Sequence, residues 1–305
     1  MAAVLPLLAC PHCAEGLNWA AAGIVGCPTG HRFDVARRGY LSLLGASSRK
    51  DTGDSADMVA ARVAFLDRQH YQPIADAIAA RVTAGPVLDI GAGTGYYLAH
   101  AVRRLAEFPS AESPQPDSPQ PDSSPIGAAI GVALDASRYA AGRSAGADSR
   151  IGSVLADAWS RLPVRAGVAS TVLSVFAPRD PAEIGRVLAP QGRVVVVTPE
   201  PDHLAELRSG FGLLSVDPGK TERLDEAFAG LLQTVERVEL RQEMVLSPED
   251  VHALIRMGPS AHHLQPEHLA LAVRELAVQT TVTLSVTISV LQRDSSPRSL
   301  GDRRH

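Results

Sequence analysis

The sequence predicts an α/β chain, with a mostly parallel sheet covered by helices on both faces and a small metal-binding ribbon in front of it. Three observations carry that expectation. From residue 87 onward apolar strands alternate with helical segments, a pattern that builds doubly covered parallel sheets. The first of those strands runs into a Gly-rich turn, Val87-Leu88-Asp89-Ile90-Gly91-Ala92-Gly93-Thr94-Gly95. The three cysteines of the chain all lie near its start and combine with a histidine as C-x2-C-x13-C-x3-H.

Residues 1–45 mix short apolar runs with Gly23, Gly26 and Gly30 around Cys10, Cys13, Cys27 and His31, the texture of a zinc ribbon. Two thiolates separated by two residues grip a metal from one knuckle, and a second pair completes a tetrahedron. Three Cys and one His make a closed set, so the expected ion is a single structural Zn2+. His12 competes for the fourth position, but it sits inside the turn between two ligands, which favours His31.

Residues 46–85 read as a helical connector. After a loop over 46–53, Asp54 or Ser55 is placed to cap a helix running to Leu66, with Met58, Arg62 and Phe65 on one face. Tyr71 and Pro73 open a second helix over about 74–81. The main domain is expected over 86–293, with strands at 87–90, 128–134, 153–155, 168–176 and 193–198 and helices at 96–107 and 181–188. Two further strands follow, at 238–246 and 280–292; in the second, Val282, Leu284, Val286, Ile288 and Val290 share a face. The segment 109–125 repeats SPQPD and is too rich in Pro for helix or sheet, so it reads as a disordered insert. The polar stretch 294–305 reads as a disordered tail.

Glycines at 91, 93 and 95 let the backbone turn sharply and come close to a ligand. The spacing D-x-G-x-G-x-G, from Asp89 through Gly91, Gly93 and Thr94 to Gly95, differs from the G-x-G-x-x-G of nicotinamide enzymes. Asp135 ends the next strand forty residues past Gly95, or 23 once the 17-residue insert is set aside. That is close to the roughly 20 residues expected for a carboxylate on ribose hydroxyls. Asp157 ends the following strand, where an adenine edge would sit, or else caps a turn. The set points to S-adenosylmethionine and to methyl transfer, in which the protein chiefly aligns the reactants. After the fourth strand the chain reads Ser174-Val175-Phe176-Ala177-Pro178-Arg179, unlike the N-P-P-Y of exocyclic-amine methylases.

Over all 305 residues the formal net charge is −4 with 45% hydrophobic residues, an ordinary soluble composition. The first 50 residues carry five basic and two acidic side chains, net +3. Arg32, Arg37, Arg38, Arg49 and Lys50 interleave there with Phe33 and Tyr40, a mixture suited to phosphate contact and base stacking, or equally to a solvated basic face over two core aromatics. No apolar run is long enough for a bilayer, and the opening MAAVLPLLAC lacks a basic leader. A cytoplasmic, membrane-free protein without disulfides is the expectation.

Taken in order, the zinc motif, His31-Arg32-Phe33-Asp34, Arg38-Gly39-Tyr40-Leu41, Gly53-Asp54-Ser55-Ala56, Arg62, Phe65-Leu66, His70-Tyr71-Gln72-Pro73, Asp89 to Gly95 and Tyr96-Tyr97 resemble the 23S ribosomal RNA (guanine-N1)-methyltransferases. Ala177-Pro178 and Thr198-Pro199, then His203-Leu204 and Glu206-Leu207, extend the likeness, which runs from about Cys10 to about Met257. The resemblance implies a zinc ribbon on a Rossmann-like class I methyltransferase fold. It implies a homodimer that methylates N1 of a guanine in hairpin 35 of 23S rRNA. In the actinobacterial subgroup it also implies resistance to tylosin and related macrolides. By motif match it implies cofactor contacts from Tyr71, Gly93, Thr94 and His203. One segment departs from the family: Met257-Gly258-Pro259-Ser260-Ala261-His262-His263 has no Trp or Phe where relatives are rich in aromatics. The base that removes the guanine N1 proton is not identified; His203, Asp157 and Glu200 are candidates. A small-molecule methyltransferase and a catalytically inactive zinc-ribbon RNA-binding protein are the rival readings.

Overall fold

The structure, a computed structural model, describes residues 1–44, 53–108, 129–213 and 219–294. The expected loop as far as residue 52, with Arg49 and Lys50, lies outside these residues, as do the Pro-rich insert and the tail from residue 295. The chain opens with a short 3-10 helix, Ala2–Leu7, and a three-stranded antiparallel ribbon of β1 (Asn18–Ala21), β2 (Ile24–Gly26) and β3 (Arg32–Asp34). Strand β4 (Leu41–Ser42) leaves that ribbon and joins the main sheet.

Helix α1 (Ala56–Asp67) starts where Ser55 accepts a hydrogen bond from the Met58 N–H at 3.2 Å. Helix α2 (Gln72–Ala79) follows, two residues earlier than the sequence reading, because Pro73 fits the first turn of a helix. Next come β5 (Val87–Ile90), α3 (Tyr96–Glu107), β6 (Gly131–Asp135), α4 (Arg138–Ser144), β7 (Ile151–Leu155), β8 (Ala169–Val175), α5 (Pro181–Val187) and β9 (Leu188–Pro199). The chain closes with α6 (Ala205–Phe211), α7 (Lys220–Phe228), β10 (Gln233–Leu246), α8 (Pro248–Met257), α9 (Pro266–Arg274) and β11 (Thr280–Gln292).

The eight-stranded sheet has the order β10-β11-β9-β8-β5-β6-β7-β4. Its strands from β9 to β4 run parallel; β10 and β11 are antiparallel additions at one edge. Because β5 has β6 on one side and β8 on the other, the strand order reverses there, and a crevice opens at the carboxyl ends of the strands. This is the doubly wound, Rossmann-like sheet that the sequence predicts.

One apolar cluster joins the sheet to α1, α2, α3, α8 and α9, with Phe65, Ile74 and Ile78 fully buried in it. A second cluster on the other face joins the sheet to the 3-10 helix and the ribbon through Leu5, Leu8, Leu17 and Val25. Strand β11 differs from its reading as a one-sided strand. Thr283, Ser285, Thr287 and Ser289 on its second face are buried as well, so both faces are covered. Small hydroxyl residues are tolerated there because they find partners: Thr283 donates to Glu206 and Thr287 to Glu200, each at 2.5 Å.

Candidate active site and metal centre

In the ribbon, Cys10, Cys13, Cys27 and His31 bring their ligand atoms within 4.8 Å of one another. Corners of a tetrahedron about 2.3 Å from a central zinc would be about 3.8 Å apart, so the four groups fit that ion. The Nδ1 of His31 faces the sulfurs, 3.3 Å from Cys27 and 3.6 Å from Cys10. The imidazole of His12 instead packs on the Phe33 ring, their centroids 5.9 Å apart and nearly parallel, and His31 completes the group of four. The hydroxyl of Thr29 lies 3.0 Å from both Cys13 and Cys27 sulfurs. Arg32, Arg37 and Arg38 are exposed beside the site, and Phe33 and Tyr40 are half-buried.

A cavity of about 650 Å³ occupies the crevice at the carboxyl ends of β5, β6, β8 and β9. Tyr71, Asp89, Gly91, Gly93, Thr94, Asp135, Asp157 and His203 all line it. Gly95 does not line it; with φ +78 it caps the start of α3, and a side chain there would press on Ser144. At Gly91, φ is +72 and a Cβ would come within 2.7 Å of the Ala177 Cβ, so only glycine keeps this wall open.

Asp135 is held by two backbone donors, the N–H of Gly93 and that of Ser137, each at 2.8 Å. Each of its oxygens retains a lone pair for another donor. Asp89 is in the opposite condition. It is 1% exposed, and neither carboxylate oxygen has a hydrogen-bond partner among the described residues. Burial, and then the nearby Asp135 charge, push its pKa up to about 8. An unpartnered buried carboxylate is costly unless a cation meets it. Asp157 accepts from the Trp159 N–H at 2.9 Å and so caps a turn while lining the cavity.

His203 is buried, and its Nδ1 accepts from the Ser285 N–H at 3.2 Å. The ring therefore carries its proton on Nε2, which faces the Tyr71 hydroxyl at 3.4 Å. That tautomer makes His203 a donor to Tyr71 rather than a poised base. Glu200 is committed to Thr287 and is not on the cavity wall.

Several wall residues go unassigned by the sequence reading. Arg62 donates to the Met257 carbonyl at 2.8 Å and pairs with Asp54, tying α1 to the end of α8 over Gly93. Gly258, Pro259 and Ser260 line the same mouth. Phe176 and Leu204 line it with φ +53 and +55, left-handed conformations that cost a non-glycine residue roughly 1–2 kcal/mol. Trp159 stands 70% exposed at the rim. Arg179 completes the wall. No spacing rule flags these side chains, because they meet only through the sheet.

The cavity thus offers a carboxylate in need of a cation, an anchored carboxylate with spare lone pairs, and a glycine wall that admits a close ligand. S-adenosylmethionine carries groups that would suit each of these: an ammonium and a sulfonium, ribose hydroxyls, and a bulk that needs a close wall. On this sheet, such a site makes the chain a class I S-adenosylmethionine-dependent methyltransferase. A family model described as "RlmA, N-terminal", a zinc ribbon, matches residues 8–51. The chain is 42% identical to the 23S rRNA (guanine(748)-N(1))-methyltransferase of Streptomyces fradiae, over 94% of this chain and 97% of that protein. It is 36% identical to a Micromonospora griseorubida protein provisionally named a 23S rRNA (guanine-N(1)-)-methyltransferase, with the same coverage of both chains. Among solved structures it is similar to a provisionally assigned Haloferax volcanii methyltransferase in complex with its Trm112 activator, at 16% identity over 81% of this chain and 99% of that one, TM-score 0.49. The chain belongs to the 23S rRNA (guanine-N1)-methyltransferase family.

Proposed function

We propose that this protein transfers a methyl group from S-adenosylmethionine to N1 of a guanine in hairpin 35 of 23S rRNA. The observation that carries the reading is the 42% identity to the Streptomyces fradiae enzyme along almost the whole of both chains. The cavity supports it, because 650 Å³ has room for a cofactor and a nucleobase together.

In this reading S-adenosylmethionine supplies the methyl group as a sulfonium. Asp89 receives its ammonium, Asp135 its ribose hydroxyls and Asp157 its adenine edge. The backbone of Gly91, Gly93 and Thr94 lies against its methionine part. Tyr71 covers that end, its hydroxyl oriented by His203. The ribbon, residues 1–45, holds one zinc and presents Arg32, Arg37 and Arg38 to RNA phosphates. The connector, 46–85, joins the ribbon to the domain over 86–293. Two copies hold one RNA hairpin between them. Among the described residues no helix is long and apolar enough to cross a membrane, and we place the enzyme in the cytoplasm with its rRNA.

Primer extension across hairpin 35 of unmodified 23S rRNA tests the reading, after incubation with purified protein and S-adenosylmethionine. A methyl on N1 blocks the Watson–Crick face. The expected result is a cofactor-dependent stop one nucleotide before position 748, the guanine named for the Streptomyces fradiae relative. No stop with zinc-loaded, cofactor-binding protein would sink the reading. Tylosin resistance is tested separately, by expressing the protein in a sensitive host and measuring the inhibitory concentration.

A further inference from the structure

The reaction leaves two problems that the cofactor half of the cavity does not solve. A guanine must be gripped by its flat faces, yet the Met257 to His263 segment has no Phe or Trp. Its N1 proton must also leave, yet His203 is fixed as a donor, Glu200 is off the wall, and Asp157 is engaged by the Trp159 N–H and assigned above to the adenine edge.

Two neighbouring wall residues answer these needs. Phe176 follows the carboxyl end of β8 directly, and its backbone is held in the left-handed region at φ +53. That conformation is unfavourable for a bulky residue and persists where surrounding structure enforces it. The residue is 42% exposed on the cavity wall, its ring beside His203 at a centroid distance of 6.0 Å and 24° from parallel. Tyr71, by contrast, is buried, and its hydroxyl already faces His203. Three residues after Phe176, Arg179 brings a guanidinium to the same wall, and its Nη1 is buried with no hydrogen-bond partner among the described residues. Partial burial there pushes its pKa down. A half-buried guanidinium with one buried, unpartnered nitrogen, on the same wall as an exposed aromatic, suits a flat, anionic partner.

We propose that Phe176 stacks on the target guanine and that Arg179 faces its O6–N1 edge and stabilises the anion formed when N1 loses its proton. The inference rests on the guanine-N1 reading above. The proton passes to water, leaving the negative charge shared between N1 and O6, where the guanidinium meets it. The N1 electron pair then forms the bond to the methyl carbon, while the pair of the breaking carbon–sulfur bond stays on sulfur. Arg179 keeps its own protons throughout. An anion-stabilising cation lowers the N1 pKa, so the chemistry proceeds near neutral pH without a carboxylate base.

The test compares Phe176→Ala, Phe176→Tyr, Arg179→Gln and Arg179→Lys with the unaltered zinc-loaded protein, using unmodified 23S rRNA and the primer-extension stop. Phe176→Ala is expected to raise KM for RNA about tenfold or more, with Phe176→Tyr recovering most of it. Arg179→Gln is expected to lower kcat by on the order of a hundredfold at pH 7 and to move the rising limb of its pH profile to higher pH, with Arg179→Lys intermediate. Calorimetric titration with S-adenosylmethionine should give near-unchanged affinity in all four, which also shows that they fold. An unshifted pH profile for Arg179→Gln, an unchanged KM for Phe176→Ala, or lost cofactor affinity in either would overturn the inference. Absence of any stop with the unaltered protein would instead strike the guanine-N1 reading itself.

Discussion

In the ribbon the outermost residues of the metal-binding group, Cys10 and His31, are 21 residues apart, and two turns of one small three-stranded sheet carry all four. The walls of the cofactor cavity reach from Gly53 to Ser260 and come from the carboxyl ends of four strands and from helices far apart in the chain. The metal centre can therefore be read from spacing alone, since local geometry brings the ligands together. The cavity cannot, because which residues face it depends on strand order. The two sites also differ in how they fail. Each metal ligand is indispensable to a small unit with little core of its own, whereas the cavity walls are held by a large sheet and can lose one contact at a time.

The largest effect should come from the ribbon. Chelating the zinc, or Cys13→Ser, is expected to remove stability on the order of 5 kcal/mol or more from the N-terminal region, because the metal supplies most of its folding energy. Thermal unfolding and zinc content measure this. Cofactor affinity below the lowered Tm should change little; its complete loss there would break the picture of two independent sites.

Next comes Asp89→Asn, which should weaken S-adenosylmethionine by roughly 10- to 100-fold through loss of a charged contact, and yet raise the Tm of the cofactor-free protein. The pH dependence follows from its pKa of about 8, raised from 3.8. The folded chain holds a proton on Asp89 that the unfolded chain has released, so the Asp89 contribution to cofactor-free stability is most favourable below about pH 4 and is lost as pH climbs to about 8. Cofactor affinity runs the other way, rising toward pH 8 as the carboxylate ionises. Both slopes should flatten in Asp89→Asn, and slopes that survive it would remove Asp89 from the cofactor contact.

A smaller effect is expected of His203→Ala. Losing the donor to Tyr71 should cost about 1 kcal/mol, or roughly fivefold in cofactor affinity, with the zinc content intact. The smallest test lies outside both sites. Ser247 caps α8 in a reciprocal box with Asp250, so Ser247→Ala should lower stability by about 1 kcal/mol and leave cofactor affinity unchanged.

The strands of the main sheet were legible where apolar runs are bounded by turns: β5, β7, β8 and β11 lie within a residue or two of their predicted spans. Strand β9 starts at Leu188, five residues early, because its first residue pairs with Ala169 before the register shifts. The sequence reading does not anticipate α4, α6, α7, α8 or α9. Helix α8 carries a readable signal, Ser247-Pro248-Glu249-Asp250, but its partner is α1, nearly two hundred residues earlier, and that packing is what buries Val251, Leu254 and Ile255.

By itself, the sequence determined the zinc ligands, the glycine turn with Asp89 and Asp135, and the doubly wound class, because each depends on residues close in the chain or on a repeated period. The tertiary structure alone decided that β11 is covered on both faces, that His203 gives rather than takes a proton at Tyr71, and that the Asp89 carboxylate and one nitrogen of Arg179 are buried without hydrogen-bond partners among the described residues. Those outcomes depend on which strands lie side by side and on how far water is excluded between them, and neither is encoded in local spacing.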